Sequence, residues 1–472
     1  YLAVDIGTTN CKAAVSNGER YEVEQKECRL YVAGDRVEQV PYEWWEALRN
    51  IVPRLLVKAD VRPSEIRGIC ITGHSPSVVP VDRDGKSLRN CLIWQDTRAV
   101  KQAEFISEMM GEVSDPSFFE PKILWIKEHE PEIYRQTACF LQPKDYIIRL
   151  LTGESVTDHA AGHFVKIYSA LSREQYSEKL EIDLCRTPKI MNSWDIVGVT
   201  CQEPSEQLGL RAGIPVVAGG IDAYCEALGA GVINEGQICD MTGTSSCIML
   251  CLNRGDSPHV VPHVIPNRYL LILPMSSTGG SLAWFLETFA GGEHPSHGFF
   301  DIEDALRLSP SGAHGLIFLP YIVGERSPIW AKHANGVFFG ITKKHSKSDF
   351  LRSVLEGVAL GVRHNIETMQ KLGFSGTCVH ATGGGARVES WNQVKADVTR
   401  LPYYQMEILE GALLGGILLA AHAVDGKSFP QLVDEYVHVQ NVFLPKGMED
   451  AYDRAFIKYK RVYELTRELM VY

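Results

Sequence analysis

The chain has no Cys-x-x-Cys pair among its twelve cysteines, no basic run, and no apolar stretch of bilayer length. Each absence closes off a class of function. Without cysteines at metal or dithiol spacing, zinc ribbons and redox motifs are excluded. Cys70, Cys91, Cys239 and Cys247 instead sit in apolar, strand-like runs and read as buried free thiols of a reducing cytosol. A net charge of −11 with no offsetting basic stripe argues against nucleic acid as a partner. Any anionic ligand must then be held locally, by loops, Lys, Arg or a metal. The longest apolar stretch, 412–423, falls short of the ~20 residues that a bilayer span needs, so no membrane partner is expected. The first residues already read as a strand, and no signal peptide is expected. With 45% hydrophobic and 22% charged residues there is no disordered bias, and 472 residues exceed one core, so two domains follow. The natural division is 1–228 and 229–472, and the expected location is cytoplasmic.

What the sequence does contain is a repeated pattern. Residues 2–15 and 238–250 each read as an apolar run, a short Gly/Thr/Ser turn, and a second apolar run, which is a hairpin signal. Glycine lets a backbone approach an anion without a Cβ in the way, and Thr and Ser add hydroxyl donors beside the exposed N–H groups. Two such hairpins half a chain apart predict a duplicated domain with a polyphosphate held between the copies. Asp5 lies among apolar neighbours on the first run. It is either a strand-end cap or, beside a phosphate loop, a carboxylate associated with Mg²⁺.

Between the hairpins, 39–57 has the apolar spacing of an amphipathic helix, with Trp44, Trp45, Leu48, Ile51 and Leu55 on one face. An apolar strand at 67–72 ends at Gly73, His74, Ser75, Pro76 and Ser77, polar residues placed where α/β sheets meet ligands. Trp94, Gln95, Asp96 and Arg98 combine an aromatic plate with polar groups. They can stack and hydrogen-bond a polyol, or Asp96 can simply cap the next helix. The run 215–221 is a buried strand with a glycine turn that opens a small-residue helix at Asp222. Asp222 is an N-cap or, on a closely approached turn, a carboxylate placed to take a proton. In the second half, Gly279 and Gly280 open a helix, 350–372 is a long amphipathic helix, and Gly383, Gly384 and Gly385 form a strand-to-helix turn against which an anionic ligand can lie. Residues 411–423 form a small-residue helix suited to close packing on a sheet, and 448–469 a charged amphipathic one. The histidine pairs His159/His163 and His259/His263 are each four apart but lack a third ligand nearby, so they are not read as metal sites.

Together these pieces resemble the FGGY family of carbohydrate kinases over nearly the whole chain, with the pattern of its xylulokinase branch. Pro121, Lys122 and Trp125, then Pro143, Lys144, Asp145 and Tyr146, resemble its N-terminal part. Gly324, Glu325 and Arg326, the 336–341 segment, and Gly383 to Arg387 with Trp391 resemble its C-terminal part. The resemblance implies an α/β, two-lobed actin/hexokinase-like (ribonuclease H-like) ATPase fold with duplicated domains and a cleft. It also implies transfer of the γ-phosphoryl group of ATP, with Mg²⁺, to a hydroxyl of a ketose or polyol. By residue it implies that Gly7, Thr8, Thr9 and Lys12, with Gly243, Thr244 and Ser245, meet the phosphates. Asp5 would hold Mg²⁺, and Gly384, Gly385 and Asn392 would meet adenosine. Asp222 would be the catalytic base, with His74, Ser75, Trp94, Gln95 and Asp96 around the sugar.

Three departures stand out. Phe119 occupies a position where the family has Pro, Ser or Thr. His74, Ser75, Pro76 and Ser77 stand where the branch has Gln-Met-His-Gly, and Ala223 stands where an amide usually follows the base. The last two fall on the acceptor side and leave the nucleotide loops intact. They predict an altered sugar preference. A D-xylulokinase, a chaperone-like ATPase and a non-catalytic sugar or nucleotide sensor are the competing readings. The expected partner is a small sugar or polyol, and a homodimer is compatible with the sequence.

Overall fold

The first apolar run becomes strand β1 (Leu2–Ile6), which returns as β2 (Asn10–Ser16) and, after the Asn17–Gly18 turn, as β3 (Tyr21–Glu27). This is a computed structural model, and it describes residues 1–163, 165–168, 172–257, 259–289, 302–447 and 449–470. Three further strands, β4 (Ile69–Gly73), β5 (Ile196–Val199) and β6 (Pro215–Ile221), complete a 6-stranded sheet in the order β5-β6-β4-β1-β2-β3. β1, β4 and β6 are parallel, while β2, β3 and the edge strand β5 are antiparallel to their neighbours. A parallel neighbour requires a crossover, and helix α1 (Pro41–Ala59) supplies it between β3 and β4. Its buried stripe of Trp44, Leu48, Ile51 and Leu55 packs into one core with Leu2, Val4 and Ile6. Helix α2 (Pro143–Thr152) covers the same sheet, and α3 (Asp222–Gly229) follows β6 without a break.

The plan recurs. β7 (Gln237–Thr242), β8 (Ser246–Leu252) and β9 (Tyr269–Met275) form an antiparallel meander. β7 pairs in parallel with β10 (Cys378–Thr382), β10 in parallel with β11 (Tyr403–Met406), and β11 with an antiparallel β12 (Val439–Phe443). Helices α4 (Gly279–Phe289), α5 (Lys347–Lys371) and α6 (Glu389–Thr399) belong to this second unit.

The units are not contiguous in sequence. The first comprises Tyr1–Gly229, Val261–Arg268 and Gly411–Tyr436; the second comprises Ala230–Val260, Tyr269–Glu410 and Val437–Tyr472. Linear order thus misplaces helix α7 (Gly411–Asp425), which packs on the first unit's sheet and on α3. Its glycines explain why. A Cβ on Gly415 would lie 2.0 Å from Cys225 O, and one on Gly229 would lie 2.0 Å from Gly411 O. Glu226 accepts the Ala412 N–H at 2.7 Å, so a carboxylate of α3 caps the N-terminus of α7.

The thiols are all free. Cys70, Cys91 and Cys239 are buried, whereas Cys247 is only half-buried and Cys185 and Cys201 are exposed. Among the described residues, no helix is long and apolar enough to cross a membrane. The tail helix runs Glu449–Thr466; Met448 and the His163 side chain lie outside the described residues.

Candidate active site

In the first unit, β1 and β4 run side by side, so Asp5 lies level with Thr72, and on the other side with Lys12 of β2. Thr72 Oγ1 donates to Asp5 Oδ1 at 2.8 Å and fixes the carboxylate at the strand's end. The following turn tolerates only glycine, because a Cβ on Gly7 would lie 2.7 Å from Asn10 O. Such a Cβ would also lie 3.5 Å from Asp5 Oδ2, so the second carboxylate oxygen lies against the turn.

Asp222 begins α3 where β6 ends. Its Oδ1 accepts the N–H of Ala223 at 2.7 Å, while the residue stays partly open to solvent on one side. Surrounding protein mass, and then the charge of Asp5, push its carboxyl up to about 7; Ala223 N–H and Lys12 oppose this. A carboxylate poised near neutrality beside a second carboxylate is the electrostatics of a proton acceptor, and goes beyond what a helix cap requires.

The loop after β4 is tied to the first hairpin by a hydrogen-bonded chain. Gln39 Nε2 donates to Thr8 O at 2.8 Å, so its Oε1 faces His74 Nε2 at 3.0 Å, and His74 Nδ1 lies 2.8 Å from Ser77 Oγ. Those roles require the Nε2–H tautomer, with Ser77 donating to Nδ1. Burial, with a smaller contribution from Lys122, holds the ring neutral by lowering its pKa to about 3. Both ring nitrogens of His74 are therefore spent inside the protein, leaving none for a sugar hydroxyl. Asp96 is likewise spent: fully buried, it accepts Val37 N–H at 2.8 Å and pairs with Arg98 at 2.7 Å.

Trp94, Gln95 and Ser75 are not tied in the same way. Trp94 Nε1 donates to Thr8 Oγ1 at 2.9 Å, leaving the ring half-buried; Gln95 is exposed; Ser75 Oγ is buried with no hydrogen-bond partner. An orphaned buried hydroxyl is costly unless a ligand completes it. Lys122, fully buried, clamps the two loops. Its Nζ donates to Pro76 O at 3.1 Å, Ile93 O at 2.7 Å and Ser117 O at 2.5 Å.

The second unit arranges its hairpin differently. Gly243 and Thr244 are exposed and Ser245 half-buried at the turn, and the start of α4 supports it from behind. Gly279 N–H donates to Gly243 O, and Thr278 and Gly280 N–H to Thr244 O, each at 3.0 Å. Gly383, Gly384 and Gly385 lie against the end of β7. Cβ atoms on Gly383 and Gly385 would come within 2.7 and 2.3 Å of Thr242, whereas one on Gly384 would meet open space. Asn392, fully buried, donates to Ala386 O at 2.8 Å and holds this loop from below; its Oδ1 has no partner. Beneath both loops Lys395 Nζ reaches Asp240 Oδ2 at 2.8 Å and Thr242 Oγ1 at 2.6 Å. Taken by itself, the second unit's exposed glycine turn with its hydroxyls has the chemistry to meet phosphate, and the first unit's fixed Asp5 carboxylate has the chemistry to meet a divalent cation.

Residues 1–229 match the N-terminal domain of the FGGY family of carbohydrate kinases, and residues 241–424 match its C-terminal domain. The chain belongs to the FGGY family of carbohydrate kinases. It is thereby a sugar phosphotransferase of two α/β domains with the actin/hexokinase-like fold. A xylulose kinase of Staphylococcus epidermidis is 29% identical over 99% of this chain and 97% of its own length. A gluconokinase of Bacillus subtilis is 28% identical over 89% of this chain and 87% of its own. The fold is also that of a ligand-bound xylulose kinase from Lactobacillus acidophilus, with a TM-score of 0.89 and 24% identity, covering 99% of this chain and 98% of that one.

Sequence reasoning missed Gln39, Thr72, Thr278 and the Lys395–Asp240 pair. Thr72, directly before the Gly73 loop, was the one with a local signal. The others are polar residues in helices and strands or, for Thr278, in the bend before α4, and only the partner in space gives them meaning.

Proposed function

We propose that this FGGY kinase transfers the γ-phosphoryl group of ATP to a hydroxyl of an open-chain ketose or polyol, with Asp222 as the general base. The observation that carries this reading is the half-open carboxylate of Asp222, at the tip of a buried strand and raised to about 7 by burial and by Asp5. Gly7, Thr8, Thr9 and Lys12 in the first unit, and Gly243, Thr244 and Ser245 in the second, would hold phosphates. Gly384, Gly385 and Asn392 would hold adenosine, and Asp5 would hold Mg²⁺. When bound, the magnesium nucleotide supplies an activated phosphoryl group whose charge the metal neutralises. Asp222 accepts the proton of the attacking hydroxyl as transfer proceeds. Ser75, Trp94 and Gln95 orient the acceptor, while His74, Asp96 and Lys122 hold those residues' loops in place.

The acceptor is the finer part of the proposal. Relatives named xylulose kinase favour D-xylulose. Against it, the loop at 74–77 turns its histidine inward, and Ala223 offers no amide. Two or three absent hydrogen bonds at about 1 kcal/mol each would lower recognition of D-xylulose by roughly tenfold to a hundredfold. The test is sugar-stimulated ADP release across xylulose, ribulose, other ketoses, gluconate, glycerol and four- to six-carbon polyols. Stimulation by any acceptor supports the kinase reading, and sugar-independent turnover or none refutes it. D-xylulose leading the panel by a wide margin would refute the altered preference alone.

A further inference from the structure

A fully buried charge cluster is bonded to β6, the strand that leads into Asp222, and takes no part in the reading above. Helix α2 opens with Pro143, Lys144 and Asp145, and the Lys144 side chain is 2% exposed. Its Nζ lies 2.6 Å from Asp145 Oδ1 and 2.9 Å from Asp158 Oδ1, both carboxylates fully buried. It also donates to the backbone carbonyl of Ala218 at 3.2 Å. Ala218 lies where β6 departs from regular pairing: the register against β4 shifts between Val217 and Gly220. Gly219 there has φ +67°, and a Cβ on it would lie 1.9 Å from Ile71 O. A bulge leaves main-chain groups out of the ladder, and in a buried strand these must find other partners.

Those partners form a closed circuit. Ala218 N–H goes to Asp195 O and Gly219 N–H to Ser193 O, each at 3.0 Å. Ser193 Oγ donates to Asp158 Oδ2 at 3.3 Å, and Ala160 N–H to the same oxygen at 3.1 Å. The circuit therefore runs Lys144, Asp158, Ser193, Gly219, Ala218 and back to Lys144. It encloses the bulge that ends three residues before Asp222.

Buried ion pairs are weak contributors to stability, since well-packed apolar residues usually serve as well. A circuit of this kind needs another reason to exist. We propose that Lys144, Asp158 and Ser193 are positioning residues for Asp222: they lock the bulged tip of β6 and so fix where the base meets the attacking hydroxyl. This rests on Asp222 acting as the base.

The experiment combines Ser193→Ala and Lys144→Met with Asp222→Asn, assayed as the full chain with ATP and the best acceptor found. Ser193→Ala and Lys144→Met, each alone, are expected to lower kcat by about tenfold with both KM values within about twofold, the pattern of a misplaced group rather than a lost binding contact. In the Asp222→Asn background the same changes are expected to lower the residual kcat no further. Ser193→Thr, which keeps the donor, is expected to restore most of the rate. Equal losses in both backgrounds, or unchanged kcat in Ser193→Ala, would overturn the inference while leaving the base reading intact. Near-normal turnover of Asp222→Asn alone would overturn that reading and this one with it. If Lys144→Met fails to fold, the Ser193→Ala pair decides.

Discussion

The two hairpins share a backbone plan and place their charge on opposite faces. Counted back from the turn glycine, Asp5 is two residues before Gly7 and Asp240 three before Gly243. Side chains alternate along a strand, so the two carboxylates point to opposite sides of equivalent strands. Asp5 shares a face with Thr72 and, at the tip, borders an open turn. Asp240 is sealed beneath its sheet with Lys395, 1% exposed, and Thr242. The turns are also held differently. Thr8 is hooked by the side chains of Gln39 and Trp94, whereas Gly243 and Thr244 are held mainly by main-chain N–H groups at the start of α4, with the Thr278 hydroxyl adding a hydrogen bond to Gly243 O at 3.2 Å. Duplication supplied one scaffold twice. In the proposed reading the first copy puts its carboxylate to chemistry, while the second pairs its carboxylate with Lys395 in the interior.

The largest effects should break that contrast if it is wrong. Asp5→Ala is expected to abolish Mg²⁺-dependent turnover and leave the folded state intact. Asp240→Ala should do the reverse, lowering stability by about 3–5 kcal/mol because it strands the Lys395 charge in the interior. Adding Lys395→Met should recover most of that loss. Urea unfolding paired with a magnesium titration of rate reads both. An Asp240→Ala protein as stable as wild type would remove the structural role assigned to the second hairpin's carboxylate.

Next in size is Asp222. Asp222→Asn is expected to lower kcat by roughly 10²–10⁴-fold, the range for losing a positioned acid–base group, with ATP affinity little changed. In the wild type kcat/KM should fall about tenfold per pH unit below ~7 and level off above it, because only the ionised form accepts a proton. Lys12 lowers this carboxyl's pKa, so Lys12→Met should move the limb to higher pH. Stability carries the opposite sign. A carboxyl raised in the folded state favours folding fully below its ordinary range, and that contribution is lost as pH rises through about 7. Asp222→Asn should therefore gain Tm over wild type at pH 8, the gain shrinking toward pH 4. A Tm difference independent of pH would mean that the carboxyl is not held near neutrality.

Both hairpins, α1, the β6-to-α3 turn and the Gly383–Gly385 loop were legible because their signals are local: a turn glycine, an apolar period, a strand ending in polar residues. What was not legible is long-range. His74 looked like a sugar ligand because its partners, Gln39 and Ser77, are named only by the fold; a polar residue at a strand end reads the same whether it faces a ligand or a neighbour. Asp96 carried both readings, and Arg98 two residues on decides for the structural one. Helix α7 was recognised as a close-packing helix, but its sheet could not be, since glycine spacing tells how near a neighbour comes and not which neighbour. Cys247 looked buried in an apolar run, yet it lies one residue into β8 next to the exposed turn and is half-buried, while Met249 and Cys251 on the same face are buried.

The smallest effect separates two roles of one side chain. Trp94 is proposed to offer the acceptor an apolar plate, and through Nε1 it donates a hydrogen bond to Thr8 of the first turn. Thr244 of the second turn takes its hydrogen bonds from backbone N–H groups, and its neighbour Gly243 takes one from the Thr278 hydroxyl, so Trp94 probes the first turn alone. Trp94→Phe keeps a flat ring and deletes the donor. A neutral hydrogen bond contributes about 0.5–1.5 kcal/mol, so the KM for ATP should rise by roughly twofold to tenfold, with the acceptor KM nearly unchanged. Trp94→Leu removes the plate as well and should raise the acceptor KM in addition. Thr244→Val, which deletes a hydroxyl donor proposed to face phosphate directly, should raise the ATP KM by a similar factor and leave the acceptor KM alone. If Trp94→Phe raises the acceptor KM and spares ATP, the indole nitrogen serves the sugar, and Thr8 is held by Gln39 alone. The two hairpins would then differ less in how their turns are fixed than in where their carboxylates lie.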